Sequence, residues 1–353
     1  MKILILGGTG AIGIHLVELL ADCGHHVYVT SRSNRNPENN ITFVQGNAQE
    51  LNFLQNLLSK DWDVIIDFMA YTTQVFKARV EFLCKATNQY VFLSSSRVYA
   101  NSKTPIKEDT DRLLDTSEDN EYLKTDEYAL TKARQENILK ESGFNNWTII
   151  RPYISYNKDR MQLGVLEKEE WLYRALKGRT IVFSKEINDK LTTLTYGLDV
   201  SRGIQALIGK SKAYSQTFHI TTKNSFKWEY ILNIYLCQLE SYLGYKPKVL
   251  LQDTYILLNS KSPNYQIDYD RLYNREFNNN KISAYIDTST FTSIEAGLEK
   301  SIKLFLNKPK FKIINWKHEA QKDKLVGEYS SLSEIKGFKQ KIKYLLYRFN
   351  ILK

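Results

Sequence analysis

The stretch that decides the fold is KILILGGTGAIG, residues 2–13. Lys2–Leu6 contains four consecutive apolar residues, which predicts a short buried strand. Glycines follow at once, and apolar residues from Ile12 to Cys23 then recur on one helical face that ends at Gly24. A buried strand that turns through glycines into a helix is typical of the first unit of a parallel sheet.

The same alternation of short apolar strands and helical patterns continues to residue 151. Further strands are predicted at residues 26–30, 42–45, 63–68, 90–94 and 147–151, and the helices between them include residues 73–87 and 128–142. Six strands in this order predict an α/β fold with an open, doubly wound parallel sheet of the Rossmann type. In such a sheet ligands bind beyond the carboxyl ends of the strands.

The pattern becomes less regular after Arg151-Pro152, which predicts a change of domain. We expect residues 1–155 to form a dinucleotide-binding domain, to which part of 190–222 returns. Residues 156–330, with helices at 169–177 and 227–243, are expected to form a smaller mixed α/β lobe for the substrate.

Residues 331–353 form a separate tail in this scheme, and from Lys336 onward it carries six basic residues and no acidic one. Its apolar residues stand at near-helical spacing: Phe338, Ile342, Leu345, Leu346 and Phe349. A basic amphipathic helix can contact an anionic membrane surface. The alternative is a helix that packs on its own domain or on a partner subunit.

Composition narrows the class of protein. The 353 residues include three cysteines and five histidines, none in a disulfide or metal-ligand spacing, so no metal is expected. No apolar run reaches the roughly 20 residues of a membrane span, and the first is too short for a signal peptide, so a cytoplasmic protein is expected. The net charge of +10 favours an anionic partner: a nucleotide, a nucleic acid or a lipid surface.

The glycine-rich turn predicts a phosphate site, because missing Cβ atoms let the backbone approach a pyrophosphate at the start of a helix. The residues expected to bind a dinucleotide there are Gly7, Thr9, Gly10, Ala11, Ile12 and Gly13. After the second strand, Ser31 stands where an acidic residue would bind the ribose hydroxyls, and Arg32 can pair with a phosphate. This favours NADP over NAD. Asn47 and Ala70 are further candidates for cofactor contacts.

Tyr128 and Lys132 lie four residues apart and therefore on one helical face. A neighbouring ammonium group stabilises a phenolate and lowers its pKa, so that it can exchange a proton with a sugar hydroxyl. Ser95, at the end of the strongly apolar strand about 30 residues upstream, can hydrogen-bond the reacting oxygen. These three residues are the predicted catalytic set.

At this point the chain resembles the extended short-chain dehydrogenase/reductase family, the NAD(P)-dependent sugar-nucleotide epimerases and dehydratases, over roughly residues 1–300. The resemblance rests on the glycines, Ser95 with Val98-Tyr99, the Tyr128/Lys132 pair and Arg151-Pro152. It implies that Lys132 binds the nicotinamide ribose, that Tyr153 lies near the nicotinamide, and that the enzyme is a homodimer. The residues expected to contact a nucleotide-sugar substrate are Ser95, Ser96, Arg97, Tyr153 and Arg179.

Two departures from the family pattern bear on the reaction. Ser96-Arg97 replace the Asp-Glu pair of the 4,6-dehydratases, which disfavours elimination at C5–C6. The arginine that often binds the nucleotide diphosphate is missing near Tyr196, and Arg179, Lys185 and Lys190 are candidates to replace it.

Three functions remain open. The family resemblance favours an epimerase, with chemistry at C4, in the synthesis of bacterial surface-polysaccharide precursors. Arg32 favours a keto-sugar reductase that consumes NADPH. Residues 146–152 and 169–174 also look like chloroplast stem-loop-binding proteins, which bind RNA on the same fold. The sequence disfavours nucleic acid as a partner, because it lacks a basic stretch interleaved with aromatic residues.

Overall fold

Thirteen strands and fifteen α-helices form within residues 1–254 and 264–349, which are the residues described by the structure, a computed structural model. The strands are β1 Lys2–Leu6, β2 His26–Ser31, β3 Ile41–Gln45, β4 Trp62–Asp67, β5 Thr87–Leu93, β6 Trp147–Pro152, β7 Ile154–Tyr156, β8 Ile181–Ser184, β9 Leu191–Thr192, β10 Leu194–Tyr196, β11 Gln216–Ile220, β12 Phe226–Lys227 and β13 Val249–Gln252. The α-helices are α1 Gly13–Asp22, α2 Leu51–Leu58, α3 Thr73–Lys77, α4 Val80–Lys85, α5 Leu113–Thr116, α6 Asn120–Lys124, α7 Tyr128–Lys140, α8 Leu172–Leu176, α9 Lys185–Asn188, α10 Gly197–Leu207, α11 Trp228–Leu243, α12 Asn280–Ser283, α13 Ile294–Asn307, α14 Trp316–Val326 and α15 Phe338–Arg348.

Seven of these strands form one parallel sheet in the order β11-β6-β5-β4-β1-β2-β3. The chain builds outward from β1 to β3, then returns to the other side of β1 with β4. The crevice between the carboxyl ends of β1 and β4 is therefore the switch point at which such sheets bind ligands. The predicted doubly wound α/β fold is confirmed, and β11 is a seventh strand beyond the six predicted.

Both faces of the sheet are covered, which explains why β1 is apolar without alternation. Ile3 and Ile5 face a core that includes apolar residues of α1 and α10. Leu4 and Leu6 face the opposite core, with apolar residues of α2, α3, α4 and α7. The strand that precedes the glycine turn is thus fixed from both sides.

The single helix predicted at residues 73–87 is wrong. The chain forms α3 and α4 instead, and Thr87 already pairs with Trp62 at the start of β5. The break lies at Arg79, whose guanidinium donates one hydrogen bond to the Val75 carbonyl at 3.0 Å and another to the Gln49 carbonyl. The Arg79 side chain thereby bonds the Val75 carbonyl, which the backbone amide of Arg79 would bond in a continuous α-helix.

The chain divides into two compact units, and the first comprises residues 1–156, 193–225 and 275–294. The sequence did not predict that residues 275–294 belong to this unit. Phe277 pairs with Ile106, and α12 packs on β11. Residues 275–294, which were expected to belong to the substrate lobe, are therefore part of the sheet unit.

The second unit comprises the described residues of 157–192, 226–274 and 295–353. One of its cores consists of Tyr173, Trp316, Ala320, Ile335 and Tyr344. The tail predicted as separate packs here through α15, whereas its residues 350–353 lie outside the described residues. Among the described residues, no helix combines the length and apolar character needed to cross a membrane.

Candidate functional site

The candidate site lies in the first unit, at the carboxyl edge of its sheet. The glycine turn follows β1, Asp67 ends β4, Ser95 follows β5, and Tyr153 follows β6. Helix α7, which carries Tyr128 and Lys132, packs against the short 3₁₀ turn that follows Ser95. The elements predicted to carry the site therefore converge at one edge.

The glycine turn is built for close approach of a ligand. Gly7 has a φ of +75°, a conformation that side-chain-bearing residues rarely adopt, and its amide donates to Thr30 Oγ1 at 3.0 Å. A Cβ on Gly13 would lie 2.7 Å from backbone atoms of Gly8, so no side chain fits there. At Gly10 the Cβ position is open to 4 Å among the described residues. This bare backbone at the start of α1 fits the pyrophosphate of a dinucleotide.

The predicted adenosine contacts lie on three neighbouring loops. The buried Ser31 hydroxyl donates to the Ser33 carbonyl at 2.9 Å and accepts from its amide, which shapes a turn, while Arg32 is exposed. The side-chain Nε2 of Gln49 donates to the carbonyl of the exposed Ala70 at 2.8 Å. The backbone amide of Gln49 donates to Asn47 Oδ1. Gln49 thus links the loops after β3 and β4.

Lys132 is a buried amine at the end of β5. Its Nζ donates to the Leu93 carbonyl at 2.8 Å, two residues before Ser95. Burial lowers the pKa of Lys132 to about 8, although Asp67 and Glu136 oppose the shift. Tyr128, one helical turn earlier on the same face, is 42% exposed. The structure therefore places an accessible phenol, a buried ammonium group and Ser95 around the end of one strand.

A second cation stands beside Tyr128. The Arg97 guanidinium lies 5.3 Å from the centre of the Tyr128 ring, and its Nη2 is 2.6 Å from Glu127 Oε1. Glu127 also accepts the Ala129 amide at 2.7 Å and so caps the start of α7. Sequence reasoning missed Glu127. In the sequence, the one indication of this role was the position of Glu127 directly before Tyr128, at the start of a predicted helix.

Asp67 is a second residue that the sequence reasoning missed. Its carboxylate is fully buried and accepts hydrogen bonds from the Tyr90 hydroxyl at 2.9 Å and the Met69 amide at 2.9 Å. Burial raises the pKa of Asp67 to about 6, and the Lys132 charge limits the rise. A carboxylate at the end of a buried strand was the available signal.

A buried network holds the ends of β5 and β6 against α7. Arg151 binds Glu136 through two hydrogen bonds, Nε to Oε1 at 2.8 Å and Nη2 to Oε2 at 2.6 Å, and Ser94 Oγ also donates to Glu136. Burial alone would raise the pKa of Glu136, but Arg151 and Ser94 hold it below its usual value. Because Glu136 lies one turn after Lys132, this network positions the face of α7 that carries Lys132.

The structure corrects two predicted substrate contacts. The Ser96 hydroxyl is fully buried and donates to the Arg151 carbonyl at 2.8 Å. Arg179 is buried in the second unit, where its Nη2 binds Glu334 Oε2 at 3.0 Å. Both side chains therefore bond to other residues in the protein interior. Tyr153, predicted to lie near the nicotinamide, is buried with its ring centre 5.3 Å from that of Phe277.

Comparisons by sequence agree with this dinucleotide site. Residues 7–185 match the model of a family described as NAD(P)H-binding. The chloroplast stem-loop binding protein of 41 kDa b from Arabidopsis thaliana is 26% identical over 237 residues, which cover 62% of this chain and 58% of that protein. This chain therefore spans under two thirds of that relative. The epimerase family protein YfhF of Bacillus subtilis is 50% identical over 46 residues, 13% of this chain and 15% of the relative.

Comparisons by structure show the fold. A UDP-glucuronic acid 4-epimerase from Bacillus cereus, in complex with NAD, has a TM-score of 0.66 at 18% identity and covers 88% of this chain and 100% of its own. The epimerase Mth375 from Methanothermobacter thermautotrophicus has a TM-score of 0.68 at 17% identity, with 87% and 92% covered. Since the family model spans about half of the chain and these folds agree with it, the predicted resemblance to extended short-chain dehydrogenases/reductases is confirmed, and the protein belongs to the NAD(P)H-binding family.

Proposed function

We propose that this protein is an NAD(P)-dependent sugar-nucleotide epimerase that inverts a hydroxyl-bearing sugar carbon, C4. The observation that carries the proposal is the hydrogen bond from the buried Lys132 amine to the Leu93 carbonyl. Leu93 lies two residues before Ser95, and Lys132 lies one helical turn after the exposed Tyr128. The choice of C4 is supported by the Bacillus cereus UDP-glucuronic acid 4-epimerase, whose fold this chain shares.

The chain's own residues would handle the proton. Tyr128 Oη accepts the proton of the sugar hydroxyl and returns it when the new configuration forms. The Lys132 ammonium group stabilises the phenolate, and the Ser95 hydroxyl donates to the sugar oxygen as its charge develops. A dinucleotide held by the bare backbone at Gly7, Gly10 and Gly13 would supply the hydride acceptor and hydride donor.

Arg97 is proposed to contact an anionic part of the substrate. Its Nε is buried and has no hydrogen-bond partner among residues 1–254 and 264–349, whereas its Nη2 is held by Glu127. A fixed guanidinium beside Tyr128 carries a charge that suits a carboxylate or phosphate. The same charge stabilises the Tyr128 phenolate.

The cofactor preference has a different support from the oligomeric state and the biological role. Arg32, exposed at the end of β2, supports NADP as the preferred cofactor, although the Bacillus cereus relative is described in complex with NAD. A homodimer and a role in surface-polysaccharide precursor synthesis follow from the resemblance alone. A keto-sugar reductase is the second candidate function, because an NADP site suits net reduction.

The test is the Tyr128→Phe variant, assayed with UDP-glucuronic acid and UDP-glucose. Without the phenol, we expect kcat to fall about 10³-fold while binding of NADPH, followed by its fluorescence, changes less than about threefold. The matched control is Tyr242→Phe, at an exposed tyrosine of the second unit, which should retain full activity.

Three outcomes separate the candidate functions. Unchanged turnover in Tyr128→Phe would contradict the proposed proton transfer. Steady consumption of NADPH by wild type with a UDP-4-keto-sugar, which supplies the carbonyl that accepts the hydride, would replace the epimerase by the reductase. If neither reaction occurs and the protein binds an RNA stem-loop with a steep dependence on salt, the function suggested by the Arabidopsis relative's description would replace both.

A further inference from the structure

Helix α15 of the second unit has one anchored face and one apolar face in water. Tyr344 is buried, and its hydroxyl donates to Asp323 Oδ2 at 2.8 Å. Beside this anchor, Phe338 is 77% exposed, Ile342 40% and Phe349 55%, while Leu345 on the same side of the helix is partly buried against the core. Phe338, Ile342 and Phe349 follow each other at spacings of four and seven, so they form one stripe along the helix. Aromatic and aliphatic side chains in such a stripe indicate a contact surface.

Basic residues border this stripe. Lys339, Lys341 and Lys343 lie on α15, Lys336 precedes it, and the sequence from Lys336 to Lys353 has no acidic residue. Arg348 fixes the end of the helix, because its guanidinium lies 4.1 Å from the Tyr329 ring centre and its Nε donates to the Glu328 carbonyl. The helix is therefore preformed and held in place.

A second basic segment packs on the same small core. Lys308, Lys310 and Lys312 are exposed, and Ile313 is 94% exposed. Phe311, between them, has its ring centre 5.2 Å from that of Tyr173, a member of the core against which α15 also packs. The basic apolar surface is defined by α15 and its flanking residues alone: Phe338, Ile342 and Phe349, with Lys336, Lys339, Lys341 and Lys343.

We propose that the basic apolar surface docks this protein reversibly on an anionic lipid bilayer. A bilayer takes up both halves of the surface: its negative headgroups attract the lysines, and its interface accepts the apolar side chains. A second copy of the chain that docked through the same surface would bring four lysines against four of the same charge. A nucleic acid would pair with the lysines and leave Phe338 and Ile342 in water. The inference is independent of the proposed reaction.

The experiment is flotation of the full chain with vesicles of phosphatidylcholine containing about one third phosphatidylglycerol, compared with phosphatidylcholine alone. Wild type should float only with the anionic vesicles, and about 1 M salt should release it. The Lys339→Gln/Lys341→Gln/Lys343→Gln variant should lose about a hundredfold in partition coefficient. Phe338→Ser/Ile342→Ser should lose at least about tenfold.

The matched control is Lys60→Gln/Lys77→Gln/Lys103→Gln, which removes three exposed lysines of the first unit and should float like wild type. Thermal unfolding of every variant should match wild type, since the substituted side chains are exposed or half-buried. Equal binding to neutral vesicles, or no binding to anionic ones, would overturn the proposal. So would a wild-type dimer that Phe338→Ser/Ile342→Ser converts to monomer, or RNA binding that only the lysine variant loses.

Discussion

Lys132 shows how burial sets the chemistry of one residue. Its amine lies in the interior, where it donates to the Leu93 carbonyl, and the carboxylates of Asp67 and Glu136 are charged groups near it. Because its pKa is lowered to about 8, the amine begins to lose its charge only slightly above neutral pH. An enzyme that needs this charge beside Tyr128 should therefore lose activity as the pH rises past 8.

Asp67 gives a pH-dependent contribution to stability. Its pKa is raised from 3.8 to about 6 in the folded protein, so folded molecules bind more protons than unfolded ones between these values. The contribution is complete below pH 3.8 and is lost as the pH rises through 6. Relative to wild type, Asp67→Asn should gain about 2 kcal/mol of unfolding free energy between pH 4 and pH 7, measured by urea denaturation.

The control for that measurement is Asp126→Asn. Burial tends to raise the pKa of Asp126, but hydrogen bonds from Thr73 and Thr131 hold it below its ordinary value. Its contribution therefore has the opposite sign and is lost as the pH falls. If the unfolding free energies of Asp67→Asn and wild type change in parallel with pH, folding does not raise the pKa of Asp67.

Arg32 tests the cofactor preference. Arg32→Gln should weaken NADPH binding about 10- to 100-fold, because it removes a charge-assisted hydrogen bond to a phosphate, and should leave NADH binding nearly unchanged. Arg35→Gln, at an arginine that lies 5.6 Å from the Phe43 ring centre, is the matched control. Equal weakening for both cofactors would assign Arg32 to a general electrostatic effect.

For single residues, the sequence predicted those features of the site that depend on spacing along a short stretch of chain. The glycines of the turn and the Tyr128/Lys132 pair are short-range patterns, and the structure places them at one edge. One reason explains why Asp67 was missed and Ser96 was wrongly predicted to contact the substrate. Whether their oxygens face a ligand or the interior depends on Tyr90 and Arg151, which lie 23 and 55 residues away.

The contact between α7 and β6 depends on one ion pair. Arg151→Met would leave the buried Glu136 carboxylate with only the more distant Arg112 Nη1, at 3.3 Å, as an ion-pair partner among the described residues, and should cost about 3–5 kcal/mol of unfolding free energy. The double variant Glu136→Gln/Arg151→Met removes both charges, so it should recover most of that loss. Chemical denaturation of the wild type and the two variants would measure this. Similar losses in the single and double variants would show that packing, rather than charge, dominates.

The elements predicted from the sequence agree best where a strand is buried on both sides. β1 was predicted to the residue, and β6 differs by one residue at its end. The helix expected at 73–87 failed because a tertiary contact, Arg79 with the Gln49 carbonyl, interrupts it. β11 was missed because its sequence, QTFHI, is only half apolar and pairs with a strand about 70 residues away.

At the scale of the molecule, the second unit has its own charged centre. Arg174 is fully buried and binds Glu319, Asp323 and Glu328, which join α8 to α14. Arg174→Met should expose amides of α14 and α15 to hydrogen exchange at least about tenfold faster, and leave those of β1 and β4 unchanged. Arg160→Met, at a half-exposed arginine, is the control. Acceleration across the whole chain would mean that the two units unfold together.

The first unit is assembled from three separated stretches of the chain, the last of which ends at residue 294. During synthesis, β6 leaves the ribosome about 70 residues before its neighbour β11. Translation at 5–20 residues per second leaves that apolar edge without its partner for roughly 4–14 seconds. Nascent chains of this protein should therefore be clients of a ribosome-associated chaperone over this interval.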